Sequence, residues 1–385
     1  LAEDWENGGF GLYIHWPYCE AKCPYCDFNS HVVRSIDHNA WRIAYLSELE
    51  RTASETKGRV LHSVFFGGGT PSLMEPDVVG DIMEAIKRFW PTANDLEVTL
   101  EANPSSVEAG RFKAFRDAGI NRVSMGVQAL NDADLKRLGR IHTAQDAMNA
   151  FEIARTVFER VSFDLIYGRQ DQTLDQWETE LHQALNLSID HISLYQLTIE
   201  QGTAFGDRYN IGKLRGLPSE DLGADMYERT QAICSAHDMP AYEVSNHARD
   251  GAQSRHNMIY WRYGDYIGIG PGAHGRVTVN GQRFATEAYS NPQRWLDSVA
   301  SGTSEKSRTA LSTADQASEL LLMGLRVKNG VSRKRYEALS GHPVNRKAEE
   351  TLLEHGLLTP SEADIVVSNQ GFIVLNGVLE ALLSD

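Results

Sequence analysis

The sequence predicts an α/β chain: a partial (β/α)6 barrel over residues 1–290, followed by a smaller α+β, winged-helix-like domain over 291–385. Three observations lead there. From residue 11 to about 200, short β-branched and aromatic runs alternate with amphipathic stretches of helical period. That alternation makes six βα units, too few to close an eight-stranded barrel. After residue 200 the regularity stops, and beyond a polar stretch at Pro292–Arg308 helices lead into a hairpin-like segment.

The expected strands are Gly11–His15, Leu61–Phe66, Leu96–Glu101, Arg122–Val127, Val161–Tyr167 and His191–Leu197. Between them the period predicts helices at His38–Glu55, Pro76–Phe89, Val107–Ala118, Ala144–Phe158 and Leu174–Leu187. Such units are right-handed and share a parallel sheet. On periodicity alone an open, doubly wound sheet fits equally well. A helix near Ser219–His237 precedes an aromatic and glycine-rich stretch through Gly275. The last part reads as helices at Ala314–Leu325, Lys334–Ser340 and Arg346–His355, then a hairpin at Asp364–Leu375 turning at Gln370–Gly371.

Charge and cysteine usage narrow the function classes. With 52 acidic against 37 basic residues the formal charge is −15, which repels a phosphate backbone and excludes nucleic acid as the expected partner. No run of about 18 uncharged apolar residues is present, and the acidic start at Leu1–Gly9 does not resemble a secretory signal. Four cysteines in 385 residues are no disulfide framework. Cys234 reads as a buried apolar residue on a helix. The other three crowd into one loop, which points to metal binding in a reducing compartment, expected to be the cytoplasm.

That loop runs Tyr13-Ile14-His15-Trp16-Pro17-Tyr18-Cys19-Glu20-Ala21-Lys22-Cys23-Pro24-Tyr25-Cys26. It follows a predicted strand, at the end where α/β folds build their sites. Cys19, Cys23 and Cys26 can each bind one iron of a 4Fe–4S cubane and leave the fourth iron open. Structural zinc is the other reading. It wants four ligands, and His15 is the near candidate for the fourth, awkwardly placed on the strand.

Further polar groups fall on the same side. Phe66-Gly67-Gly68-Gly69-Thr70-Pro71 follows the second strand, where glycines let backbone approach a ligand or simply make a tight turn. Glu101 ends the third strand, Gln128 follows the fourth, Arg140 lies in the next loop, and Asp164 sits in the fifth. A carboxylate suits ribose hydroxyls and a guanidinium suits a carboxylate. Taken singly, each is a solvated side chain. Their shared placement argues for a site.

The C-x-x-x-C-x-x-C spacing resembles the signature of the radical SAM superfamily, whose open iron binds S-adenosylmethionine. With Gly-Gly-Gly-Thr-Pro-Ser, Glu-x-Asn-Pro, Gly-x-Gln and Phe-Asp-Leu-Ile-Tyr-Gly in this order, residues 10–280 resemble the oxygen-independent coproporphyrinogen oxidases and their relatives. The resemblance implies adenosylmethionine contacts from Tyr13, Tyr25, Gly68, Gly69, Thr70, Glu101, Gln128, Arg140 and Asp164. Two departures matter. Arg169-Gln170-Asp171 replaces the Leu-Pro-Gly of relatives, which is expected to alter substrate access. Asp27-Phe28 follows Cys26 where the oxidases carry a further cysteine two residues on, and the stretch before Cys19 is shorter than theirs. Both count against the oxidase reaction.

His256-Asn257-Met258-Ile259-Tyr260-Trp261 matches the H-N-x-x-Y-W motif of the HemW haem chaperones, and Gly268 to His274 is also similar. This resemblance implies a chaperone that binds haem through His256, Asn257, Tyr260 and Trp261, with His247 and His274 as further candidate iron ligands. It also implies delivery to an acceptor such as a respiratory haem protein, membrane contact only through that acceptor, and a homodimer. No catalytic residue is assigned; any activity would be reductive cleavage of adenosylmethionine. The competing expectation is a radical enzyme acting on a porphyrinogen, or a methyltransferase.

Overall fold

Strand formation follows the alternation closely. In this computed structural model, which describes residues 3–384, eleven strands join in one sheet ordered β11-β10-β9-β8-β1-β2-β3-β4-β5-β6-β7. The six expected strands are β1 (Phe10–Trp16), β2 (Leu61–Gly68), β3 (Thr92–Ala102), β4 (Arg122–Gln128), β5 (Arg160–Tyr167) and β6 (His191–Gln196). The others are β7 (Asn246–Ala248), β8 (Asp265–Ile269), β9 (His274–Val279), β10 (Gln282–Ala288) and β11 (Glu305–Ala310). Strands β8 and β1 to β6 run parallel, and the remaining pairings are antiparallel. Because β1 to β6 are neighbours in chain order without reversal, right-handed crossovers put the helices that connect them on one face. A doubly wound sheet needs a reversal. The sheet is therefore a partial barrel, open between its edges.

The two faces of the strands are chemically opposite. Leu12, Ile14 and Trp16 of β1, Val64 and Phe66 of β2, and Val98 and Leu100 of β3 are buried under the helices. The alternate residues face the lumen and are largely polar: Ser63, Glu97, Thr99, Arg122, Ser124, Ser162 and Ser193 are buried there. Their groups pair with one another. Arg122 donates to Ser162 Oγ at 2.9 Å, and the Ser124 and Ser162 hydroxyls lie 3.1 Å apart.

Helices start where caps occur. Asp37 caps His38–Glu55 by accepting from Ala40 N, and Thr173 with Gln176 forms a capping box for Leu174–Leu187. The expected helix Val107–Ala118 is broken into Ser106–Ala109 and Phe112–Asp117. Glu108 turns inward at the break to accept from Ser72 and from Asn103 N.

Residues 292–310 stay with the large sheet. Pro292–Ala300 is a helix burying Trp295 and Val299 against the main core, and Glu305–Ala310 is the edge strand β11. A second apolar cluster gathers from Ala317 onward, around Leu321, Ile365, Val367, Val378 and Leu382. We propose dividing the chain near 311 instead of 291. The second unit carries β12 (Val331–Ser332), β13 (Leu358–Thr359) and β14 (Asp364–Val367), ordered β12-β14-β13 and antiparallel. Its hairpin therefore turns at 360–363, not at Gln370–Gly371, which lie in the helix Asn369–Ile373. A last helix, Leu375–Leu383, closes the cluster. Among the described residues no helix is long and apolar enough to cross a membrane.

Candidate functional site

The cysteine loop leaves β1 at Trp16 and is tied back on itself. Cys19 N donates to His31 O at 3.0 Å, His31 N to Pro17 O at 2.7 Å, and Cys26 N to Cys23 O at 3.1 Å. The glycine loop after β2 clasps it: Gly69 N donates to Trp16 O at 2.7 Å and Thr70 N to Tyr18 O at 2.8 Å. Glycine is required for that clasp, since a Cβ on Gly69 would lie 2.6 Å from the Tyr18 carbonyl oxygen. Cys19, Cys23 and Cys26 are half-buried and unpaired, and burial pushes the Cys19 and Cys26 thiols up from their ordinary value.

His15 is not free to be the fourth ligand of the zinc reading. His15 is buried and both its ring nitrogens are used: Nε2 donates to Asn29 O at 2.9 Å, so Nδ1 accepts from the Tyr13 hydroxyl at 3.0 Å. Among the described residues no three His, Cys, Asp or Glu side chains are grouped as one ion would need. Three thiols on one loop are the set a cubane with one open iron takes.

All three thiols open on one cleft. Tyr25, Gly68, Gly69, Thr70, Glu101, Gln128, Arg140 and Asp164 line it with them. So eight of the nine residues expected around adenosylmethionine meet the cysteines in one place. Tyr13 does not line it; it lies in the lumen beneath, its hydroxyl on His15. Gln128 reaches the cleft because β4 breaks its pairing with β5 there, with Gln128 at φ 74°.

The cleft is electrostatically unusual. Burial, and then the Asp164 charge, raise the Glu101 carboxyl to about 8, while Gly68 N donates to it at 3.1 Å. Burial raises Asp164 to about 6. Arg140 donates to Gly126 O and Asn103 Oδ1, each at 2.7 Å, and its Nη1 lies 3.4 Å from Cys23 Sγ. Its Nε is buried without a partner, as suits a bound anion. Asn103, which also donates to Thr70 Oγ1 at 3.1 Å, was missed as a site residue. Its signal was the Glu101-Ala102-Asn103-Pro104 run at a strand end.

The H-N-x-x-Y-W residues lie elsewhere. They form the short helix Arg255–Trp261, which packs against the N-terminal halves of β1 and β2. His256 is buried and stacks on Phe65 at 5.0 Å; Nδ1 lies 2.8 Å from Ser63 Oγ and Nε2 2.7 Å from the Tyr260 hydroxyl. Asn257, Tyr260 and Trp261 are partly buried around it. His247 is buried on β7, and His274 is exposed at the start of β9. Arg169 does not reach the cleft: it is buried in ion pairs with Asp134 and Glu180.

A sequentially wound partial barrel with three cysteines on its first loop, a glycine clasp and strand-end polar groups around one cleft defines a radical SAM protein. Residues 13–184 match the model of the Radical SAM superfamily. The solved structure of Escherichia coli coproporphyrinogen III oxidase, HemN, covers 98% of this chain and 90% of its own, with a TM-score of 0.82 at 20% identity. The bovine mitochondrial protein named radical S-adenosyl methionine domain-containing protein 1 is 39% identical over 97% of this chain and 87% of its own length. The Escherichia coli K12 heme chaperone HemW is 36% identical over 97% of this chain and 98% of its own. The chain belongs to the HemW-like family of radical SAM proteins.

Proposed function

We propose that the protein is a haem chaperone: it holds a 4Fe–4S cluster and S-adenosylmethionine in the barrel cleft, binds haem, and passes it to an acceptor protein. The observation that carries this reading is likeness to HemW chaperones along nearly the whole chain, at 36% and 35% identity over 97% of it. Phe28 stands where the oxidases carry a further cysteine, which argues against the porphyrinogen reaction.

Cys19, Cys23 and Cys26 would hold the cluster, which when bound supplies a low-potential electron and an open iron. The chain's own residues bind and orient the second ligand. Arg140 brings a fixed positive charge to a carboxylate, with its free Nε as the added donor. Backbone from Gly68 to Thr70 offers polar groups to the ligand's amine. Glu101 and Asp164 are hydroxyl partners for a ribose, and Glu101 holds its proton at neutral pH while the cleft is empty. Tyr25 and Gln128 line the same cleft. The free thiols argue for a reducing compartment, the cytoplasm or, as the bovine relative's name has it, a mitochondrion. The acceptor, a respiratory haem protein by this reading, brings any membrane contact, and the active form is a homodimer.

A haem titration of anaerobically reconstituted protein, run beside a coproporphyrinogen assay, tests the reading. One haem per chain with no decarboxylated product is expected. Turnover of the porphyrinogen, or no haem bound, would contradict it.

A further inference from the structure

The cysteine loop carries a buried hydroxyl that the fold leaves without a use. Ser30 is 4% exposed, too little for bulk water to serve it, and its Oγ has no hydrogen-bond partner among the described residues. A buried hydroxyl costs free energy unless some group bonds it. Ser30 lines the same cleft as Cys19, Cys23 and Cys26. Burial raises the Cys19 and Cys26 thiols, and the Ser30 hydroxyl is among the groups that draw both back down, so it stands beside both sulfurs.

The backbone around Ser30 is pinned from both sides. Its own N donates to Phe28 O at 2.7 Å, and its carbonyl accepts from Lys22 Nζ at 3.4 Å. Before it, the Asn29 side-chain amide donates to Pro271 O at 2.9 Å and Ser290 O at 2.8 Å, while Asn29 O accepts from His15 Nε2 at 2.9 Å. After it, His31 N donates to Pro17 O at 2.7 Å, and His31 O accepts from Cys19 N at 3.0 Å. The hydroxyl can rotate, but the residue cannot drift from the sulfurs. A donor held this way is pre-organised for charge that arrives later.

Two of the three sulfurs already have a side-chain donor. Thr70 Oγ1 donates to Cys19 Sγ at 3.4 Å, its lone pair taken by Asn103 Nδ2 at 3.1 Å. Arg140 Nη1 lies 3.4 Å from Cys23 Sγ. Cys26 is faced by the Phe28 backbone N–H and by Ser30. Ser30 is the donor left over, and Cys26 is the sulfur it suits.

We propose that Ser30 donates its hydroxyl hydrogen to the Cys26 sulfur when the cluster is bound, and so helps set the cluster's reduction potential. This rests on the cluster reading of the cleft and is independent of where haem binds. Hydrogen bonds to ligand sulfurs favour the more negative, reduced cluster and so raise its potential. Ser30 holds no iron; it tunes the group that the cysteines hold.

The anaerobically reconstituted full chain is titrated with dithionite in the presence of redox mediators and without adenosylmethionine. The electron paramagnetic resonance signal of the reduced cluster is the readout. Ser30→Ala is expected to make the cluster about tenfold harder to reduce, about 59 mV lower for a one-electron couple, at parental iron and sulfide content. Ser30→Thr keeps the hydroxyl and is expected to stay at the parental potential. An unshifted potential in Ser30→Ala, or an equal downward shift in Ser30→Thr, overturns the proposal. Should Ser30→Ala assemble no cluster, Ser30→Thr decides: a cluster at the parental potential upholds the hydroxyl's role, and any other result overturns it. A parent protein that takes up no 4Fe–4S cluster would instead remove the cluster reading itself.

Discussion

Arg140 holds a guanidinium nitrogen 3.4 Å from Sγ of Cys23, linking the cleft's fixed cation to the cluster loop. Gly126 and Asn103 lock the other arm, so the charge cannot swing away. Arg140→Met should keep iron and sulfide at parental levels. It should weaken adenosylmethionine binding by about tenfold or more, the worth of a charge-assisted hydrogen bond. Calorimetric titration reads this directly, and parental affinity would contradict the assigned role.

The buried carboxyls make the ligand-free protein pH-sensitive. Both Glu101 and Asp164 are raised in the fold, so their contribution is full below their unfolded values. It is lost as pH rises through about 6 for Asp164 and about 8 for Glu101. The melting temperature should therefore fall between pH 5 and pH 9 as these charges form in a dry site. Glu101→Gln should melt near the parent at pH 5 and above it at pH 9. Parallel curves at both pH values would refute this.

Arg169 is expected to matter for stability. Its guanidinium pairs with Asp134 at 2.9 Å and with Glu180, and donates to Ile166 O at 2.6 Å. Glu180 in turn accepts from Leu130 N at 2.6 Å, beside Gln128. Arg169→Leu leaves the buried Glu180 without a cation, while Asp134 keeps Arg137 at 3.6 Å, and should cost about 3 kcal/mol in denaturant unfolding. A loss below about 1 kcal/mol, the range of exposed pairs, would show the network to be solvated.

The Gly69 clasp predicts a sharp steric effect. Gly69→Ala puts a methyl against the Tyr18 carbonyl, so the loops must separate. Reconstitution should give less cluster per chain, measured as iron and sulfide, with the far-ultraviolet circular dichroism unchanged. A full cluster content would mean the clasp is not needed.

Much of this was legible because β1 to β6 and their helices obey simple periods, and strand ends carry the polar groups. The failures have physical causes. Gly371 looked like a turn glycine, but it serves close packing: a Cβ there would lie 2.1 Å from Leu357 O. The helical spacing of Leu375, Val378, Leu379 and Leu382, all buried, was present but hidden behind that misread turn. Strand β11, Glu-Lys-Ser-Arg-Thr-Ala, is an edge strand of mostly exposed polar residues and so gives no hydropathic signal. For His256 the motif was visible but its burial was not: Tyr260 is a neighbour on the same helix, but Ser63 and the stacked Phe65 reach it only through the tertiary fold.

The central claim is three thiolates and one open iron corner in the barrel cleft. Electron paramagnetic resonance of the anaerobically reconstituted, reduced protein tests it most directly, with iron and sulfide assayed on the same sample. The account predicts a 4Fe–4S signal that shifts when S-adenosylmethionine is added and vanishes in Cys23→Ala. A single zinc without sulfide, or a cluster signal indifferent to the ligand, would contradict it.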